Sequence, residues 1–574
     1  MLEINADSPF IVHTGSNFAP SLAEARAIRE LLEEPLHTLE CLDAQIANLQ
    51  TSRRELAALV DGHLAFLSPI RRVNSDVLRI IFLFYCEAQE VSLQERLIPE
   101  PPLLLASVCH LWRITACTTP LLWSNIDVSV SGLPEDRTSV SMPSLERYYA
   151  TIIGKEQRLK QWLERSGQVP LVLSIYVSPF PSIGSESYQW ALFRFLQSSL
   201  VAHILPHSSR WYSLTLSAPS YLTPIFGGIQ PEEIRLLHGL KLLTPRNEDS
   251  AFSGIQTNHP LGVLFESASL RTLTVRDHFH HSNVQIQWSL LTELELYPHF
   301  VPARGHATLS DIQALQILSL AASLRVCRVA FTLSARSGPL KECVFPKLQE
   351  ITLIIDTEDG VLPPQGRARL NDVGRAIVST PQLKSFSVRI GHRVHYVTFW
   401  PFPCLVSSEC SLERLDLDLP ISAPPVVNIL RSLPNLTSLG LHFLPIPTLK
   451  AIVTALTPTG ACAETICPRL AAVVVANWRG MDTEVEERLM TFAWTRCNID
   501  GASGTTRLRK LSVRSTEPPK DSDILGCFLS LRNHGITIDW GYDRKAAKEF
   551  TYSTGARERD PFDTDLSTQY QIEV

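Results

Sequence analysis

The feature that most restricts what this chain can fold into is a short apolar pattern, L-x-x-L-x-L, that keeps returning after residue 211. With β-branched or other apolar residues allowed at the key positions, it occurs at Trp211/Leu214/Leu216, Leu270/Leu273/Val275, Leu291/Leu294/Leu296, Leu324/Cys327/Val329 and Leu348/Ile351/Leu353. It continues at Leu383/Phe386/Val388, Leu412/Leu415/Leu417, Leu436/Leu439/Leu441, Leu470/Val473/Val475 and Leu508/Leu511/Val513. The last two positions of each copy lie two residues apart, a spacing that sends both side chains to the same side of a strand. The first position closes the turn before it. Between copies, apolar residues fall at helical spacing: Leu370, Val373 and Ile377; Val426, Ile429, Leu430 and Leu433; Leu449, Ile452, Val453 and Leu456. Alternation of strand and helix predicts a parallel sheet with helices outside it.

This pattern resembles the leucine-rich repeat, although its copies are spaced more widely and less evenly than the roughly 20–29 residues of the plain repeat. The resemblance implies an irregular α/β solenoid over 211–540, because no single unit can bury its own apolar side and the units must stack. Its end is expected at Ile536–Asp539 with Trp540. Strand residues flanking the buried pair should face the concave surface, which makes Arg276, Glu293, Glu295, Tyr297, Arg389, Arg414, Asp416, Asp418, His442, Lys510 and Arg514 candidates for contact with a partner. Their charges are mixed, and the plain alternative is a solvated sheet surface. Residues 541–574 are polar and charged, which predicts a mobile tail.

Nearer the start, Leu39, Leu42, Ile46, Leu49, Leu56, Val60 and Leu67 alternate at three- and four-residue spacing, with Arg53 and His63 in the two remaining places of the same stripe. The spacing predicts an amphipathic helix of about 40 Å within the 1–67 region. It has two uses: packing against the next module, the simpler reading, or pairing with a second chain.

Ser68-Pro69 then signals a helix start. Two apolar helical stretches follow, SPIRRVNSDVLRIIFLFYC from Ser68 and LLLASVCHLWRITACTTPLLWSNI from Leu103 to Ile126. Ser75 is positioned to cap the first and Asp76 to meet the positive end of its dipole. Val77, Ile81 and Phe84 line one face of it, and Leu78, Phe82 and Tyr85 the adjacent one. A bundle this small cannot hide so much apolar and aromatic surface, so part of it should dock on something.

The 68–126 segment resembles an F-box, the docking module of a large family of fungal proteins. The resemblance rests on Pro69, Arg71, Val77, Leu78, Ile81, Phe82, Leu105, Val108, Cys109, Trp112, Arg113, Ile114, Pro120, Leu122 and Trp123. The stretch Trp162–Ile175 also resembles the sequence that follows this box in the family, and 127–210 is read as a connecting segment. The family implies docking on a Skp-type adaptor through Pro69, Val73, Val77, Leu78, Ile81, Phe82, Leu105, Val108, Trp112, Leu122 and Trp123. It further implies membership of a cullin–RING (SCF) ubiquitin ligase, with an unknown protein substrate presented by the repeats. Where the family has Leu-Pro and Glu, this chain has Val73-Asn74 and Asp76. Val is one methylene smaller than Leu, about 0.8 kcal/mol if buried, and a fixed φ is lost with the proline. The alternative is therefore a non-catalytic repeat scaffold whose module no longer recruits the adaptor.

The expected fold class is α+β: a helical module followed by the α/β repeat region. Hydrophobic residues at 45% and charged residues at 19% describe a folding chain. A net charge of −6 gives no broad field for nucleic acid or anionic membrane. No secretory leader or membrane-length apolar stretch is present, pointing to a cytoplasmic or nuclear protein. The twelve cysteines form no CxxC pair, and Cys462/Cys467 are too loosely spaced for a metal claim. Asp277-His278-Phe279-His280-His281 has ligand chemistry but no second ligand set, and reads as a solvated loop. No P-loop, GxGxxG, GxSxG or HExxH pattern occurs. The chain is expected to be no enzyme and to need no cofactor or metal.

Overall fold

Strand pairing explains why the apolar pattern recurs. In the computed structural model, which describes residues 9, 10, 13 and 16–542 apart from 89–100, 131–141, 179–187, 244–259, 277–283, 297–308, 335–337, 358–363, 391–396, 408–410, 459–464, 478–480, 499–504, 516–526, 528–529 and 533, the middle positions of successive copies stand opposite one another. Leu240, Leu273, Leu294, Cys327, Ile351, Phe386, Leu415, Leu439, Val473, Leu511 and Ile538 form one continuous row across neighbouring strands.

The strands, in chain order, are β1 (Asn125–Val130), β2 (Leu171–Val177), β3 (Trp211–Ser217), β4 (Gly239–Leu243), β5 (Thr272–Arg276), β6 (Glu293–Leu296), β7 (Val326–Leu333) and β8 (Cys343–Val344). They continue with β9 (Glu350–Thr357), β10 (Ile377–Ser379), β11 (Ser385–Ile390), β12 (Arg414–Asp418), β13 (Ser438–His442), β14 (Ala472–Asn477), β15 (Lys510–Ser515) and β16 (Thr537–Tyr542). All but β8 and β10 belong to one 14-stranded sheet in which each strand lies beside its predecessor in sequence, and every described pairing is parallel. β8 and β10 pair separately, so Ile377 ends up in a strand and not on the helix its spacing suggested.

The leading residue of each copy is buried, just before its strand in all but Trp211, which opens β3, and several donate their N–H to the carbonyl three residues back. Leu270 bonds Ser267, Leu291 bonds Trp288, Leu324 bonds Ala321, Leu383 bonds Thr380, Leu436 bonds Leu433 and Leu470 bonds Cys467. That bond closes the turn. The residue after it then donates to its counterpart in the preceding unit, as from Arg325 to Thr292, Gln349 to Arg325, Lys384 to Gln349 and Glu413 to Lys384. Backbone polar groups at the turns are thereby satisfied from unit to unit, as burial requires.

The sheet starts earlier than the pattern suggested. The 127–210 segment supplies β2 and most of β1, so it is no mere connection. β1 follows Trp123/Ile126/Val128, and β4 follows Leu237/Leu240/Leu242, both copies of the same pattern. Its last strand ends at Tyr542, two residues past 540; the rest of the expected tail lies outside the described residues.

The helices begin with α1 (Leu22–Leu67), α2 (Ser75–Ala88), α3 (Pro101–Val108) and α4 (His110–Cys117). The chain divides into two compact units, Met1–Thr118 and Thr119–Val574. The division falls inside the 68–126 segment. No helix of the described residues is long and apolar enough to cross a membrane. The fold is thus α+β, with a helical N-terminal region and a large parallel sheet.

Candidate functional site

The helical region is organised by α2. Asn74, not Ser75, is its cap: the Asn74 Oδ1 accepts the N–H of Asp76 at 3.2 Å, while the Asn74 carbonyl accepts from Leu78 at 3.0 Å. The residue standing where an F-box has proline thus has its own use, satisfying an N–H left without a partner at the helix start. Asp76 pairs with Arg79 one turn on, at 3.0 Å.

One side of α2 is core. Leu78 and Phe82 are fully buried together with Leu105 of α3, each stabilising the fold by about 1.5–3 kcal/mol over an exposed position. Trp112 of α4 is half-buried and tilts against Phe82, ring centroids 5.0 Å apart. The Nε of Arg113 donates to the Ala106 carbonyl at 2.9 Å, tying α4 to α3.

The other side of α2 is open. Val77, Ile80, Ile81 and Phe84 form an exposed stripe, with Phe84 67% accessible. Val108 at the end of α3 and Leu111 and Ile114 on α4 are exposed as well. Pro69 is exposed and Val73 half-buried.

The eleven residues the family resemblance assigned to docking therefore separate. Val77, Ile81 and Val108 are available to a partner; Leu78, Phe82 and Leu105 hold the module together. Leu122 and Trp123 belong to the second unit, where Trp123 is buried edge-on against Trp162 at 5.0 Å with the Arg165 guanidinium 4.5 Å from its ring centre. Trp123 takes the leading position of the β1 copy, so the indole fills the place leucine has elsewhere. Ile80, Phe84 and Leu111 carry exposed surface outside the matched motif; helical spacing had already set Phe84 on the face of Val77 and Ile81.

On the sheet, the side chains opposite the buried rows form a polar face, and most of the candidates there are already paired. Arg276 meets Glu295 at 2.9 Å, Arg414 meets Glu350 at 2.9 Å, and Arg514 meets Asp539 at 2.8 Å. Glu293 and Lys510 are exposed. Tyr297 and the Asp277–His281 cluster lie outside the described residues. Lys241 of β4 and Arg328 of β7 stand in the same lateral row as Glu295. Burial, then the nearby Arg276, holds the Lys241 ammonium below its usual range. Lys241 escaped the sequence reading because the short β4 did.

Two candidates are not on an accessible surface at all. Asp418 is 1% and His442 3% exposed. The Arg389 Nε approaches the Asp418 Oδ2 at 3.2 Å, and the His442 Nε2 lies 3.9 Å from the Asp416 Oδ1. Burial pushes the Asp418 carboxyl up to about 7, against the lowering pull of Arg389 and His442. Between them Gly440 leaves the room this cluster needs, since a Cβ there would sit 2.0 Å from the Asp416 Oδ1 and 2.7 Å from the His442 Nε2. Arg389 and His442 are the lateral neighbours of this buried carboxylate on the two adjoining strands. Among the described residues, no group of three His, Cys, Asp or Glu is placed to hold a metal ion.

No protein-family model matches the chain, and no curated protein matches it.

Proposed function

We propose that this chain is a substrate receptor of the F-box type, in which the α2–α4 module docks on a Skp-type adaptor and a leucine-rich-repeat-like solenoid presents a protein target to a cullin–RING ubiquitin ligase. One observation carries the reading: the segment that resembles an F-box buries Leu78, Phe82 and Leu105 yet keeps Val77, Ile80, Ile81, Phe84, Val108, Leu111 and Ile114 in solvent. Apolar anchors left exposed on a small folded module are what a stable interface requires. The sequential parallel strand order and the repeated turn closure support the repeat reading. The chain's part is then proximity, raising the effective concentration of a substrate lysine at the ligase.

The second reading, a scaffold that no longer recruits the adaptor, is favoured by Val73-Asn74. The cap made by Asn74 weakens it, because the helix entry is secured without the proline.

The test is titration of the full chain with the host's Skp-type adaptor, native against Ile81→Glu/Phe84→Glu. Both positions are exposed, so folding should survive. Native binding that the variant weakens by about 30-fold or more, the loss of roughly 2 kcal/mol expected of an interface anchor, supports the ligase reading. Absence of binding by the native chain leaves the scaffold.

A further inference from the structure

The helix α1 is longer than its apolar stripe suggested. It runs 46 residues, from a capping box in which Ser21 and Glu24 exchange side-chain-to-backbone bonds, through Pro35, to Leu67. From Leu39 to Leu67 it keeps an unbroken seven-residue register, and its stripe is not covered. Leu39, Leu42, Ile46, Leu49, Leu56 and Val60 are each between 36% and 70% exposed. Packing against the following module, the simpler reading of the sequence, does not account for that exposure. Most helical stability in proteins comes from packing of an apolar face, so this one requires an occupant.

The register itself points to which. With Leu39 as an a position, Ile46, Val60 and Leu67 are also a, while Leu42, Leu49 and Leu56 are d, with His63 the one polar d residue. β-branched residues at a with leucine at d favour two parallel strands over three or four. Arg53 is the one charged a residue. A lone polar a position costs stability but fixes register, because any heptad shift would set two arginines against apolar layers in place of one shared layer. The flanking positions agree: across a parallel pair Gln45 would meet Gln50, Ser52 would meet Ala57 and Leu59 would meet Leu64, with no like charges opposed. Pro35 falls at a d position and places the useful start of the seam after it.

We infer that the occupant is a second copy of this chain, joined through a parallel two-stranded coiled coil over Leu39–Leu67. The dimer would join two sheet regions and so, on the proposed function, two target-binding faces per assembly, a gain in avidity that needs no new contact at either face.

The experiment is sedimentation of the 574-residue chain across micromolar concentrations. The expected mass is twice the 64.1 kDa of one chain, falling to the monomer in Leu42→Glu/Leu49→Glu, while Arg53→Ile tightens the dimer about tenfold by replacing the charged layer with an apolar one. Leu42→Cys, on a Cys41→Ser background, should cross-link to itself on oxidation, since parallel chains bring the two copies of residue 42 together. A native monomer throughout, a trimer, a dimer that survives the double glutamate change, or an Arg53→Ile dimer no tighter than native would overturn the inference. A failure to cross-link at residue 42 would overturn the parallel arrangement. The circular-dichroism signal of the glutamate variant separates lost pairing from lost folding of the sheet region.

Discussion

The two regions treat large apolar side chains in opposite ways. In the sheet region the patterned leucines, valines and phenylalanines are almost all buried, each strand completing the core of the next. In the helical region, Leu78, Phe82 and Leu105 are inside, yet the remaining apolar residues of α2 and nearly the whole stripe of α1 meet water. A region that satisfies itself needs no partner to fold. One that leaves apolar side chains exposed has, on the proposed reading, an interface to offer, and the same residue type should therefore behave differently in the two.

Phenylalanine makes the sharpest contrast. Phe386 is buried on β11 with its ring centre 5.1 Å from that of Phe402, and Phe386→Ala should destabilise the sheet unit by about 3–5 kcal/mol in chemical denaturation. A loss below 1 kcal/mol, about what a surface change would give, would break the contrast from the sheet side.

Gly440→Ala comes next. Its Cβ would collide with the Asp416 carboxylate and the buried His442, at a cost of about 1–3 kcal/mol. Relief by the added change Asp416→Ala would confirm the collision as the cause.

A smaller effect is expected from pH. The Asp418 carboxyl, raised to about 7 by burial, takes up a proton in the folded chain before it does in the unfolded one. Its contribution is most favourable at low pH and declines as pH rises from the ordinary carboxylate range through about 7. The stability advantage of Asp418→Asn over the native chain should therefore grow across that window in denaturation midpoints; a difference that stays constant with pH would contradict the assignment. Smallest of all, Phe84→Ala should change stability by no more than about 0.5 kcal/mol while weakening adaptor binding.

Much of the sheet could be read in advance because its signal is local. A buried pair two residues apart with a leading apolar residue three before it marks a strand wherever it falls, and ten such strands were found this way. Leu237/Leu240/Leu242 fits the same pattern and was passed over all the same; a short 3-10 turn precedes it, as one precedes Leu291. Trp123/Ile126/Val128 was hidden by the stronger match of Trp123 to a docking motif. Pro35 concealed the first half of α1, although Ser21 and Glu24 stood at capping-box spacing.

The candidate site was less legible for a different reason. Strand alternation tells which face a residue takes but not how deeply that face is covered, so Asp418 and His442 looked accessible. Motif matching, likewise, gathers the residues that hold a small module together with those on its surface, and only burial separates Phe82 from Phe84.

Hydrogen exchange of the 574-residue chain, alone and with the Skp-type adaptor in excess, tests the central claim most directly. Residues 77–85 and 108–114 should gain protection on binding while strands β11–β13 remain unchanged. Unaltered exchange in those helical segments, or protection appearing on the sheet instead, would contradict the account.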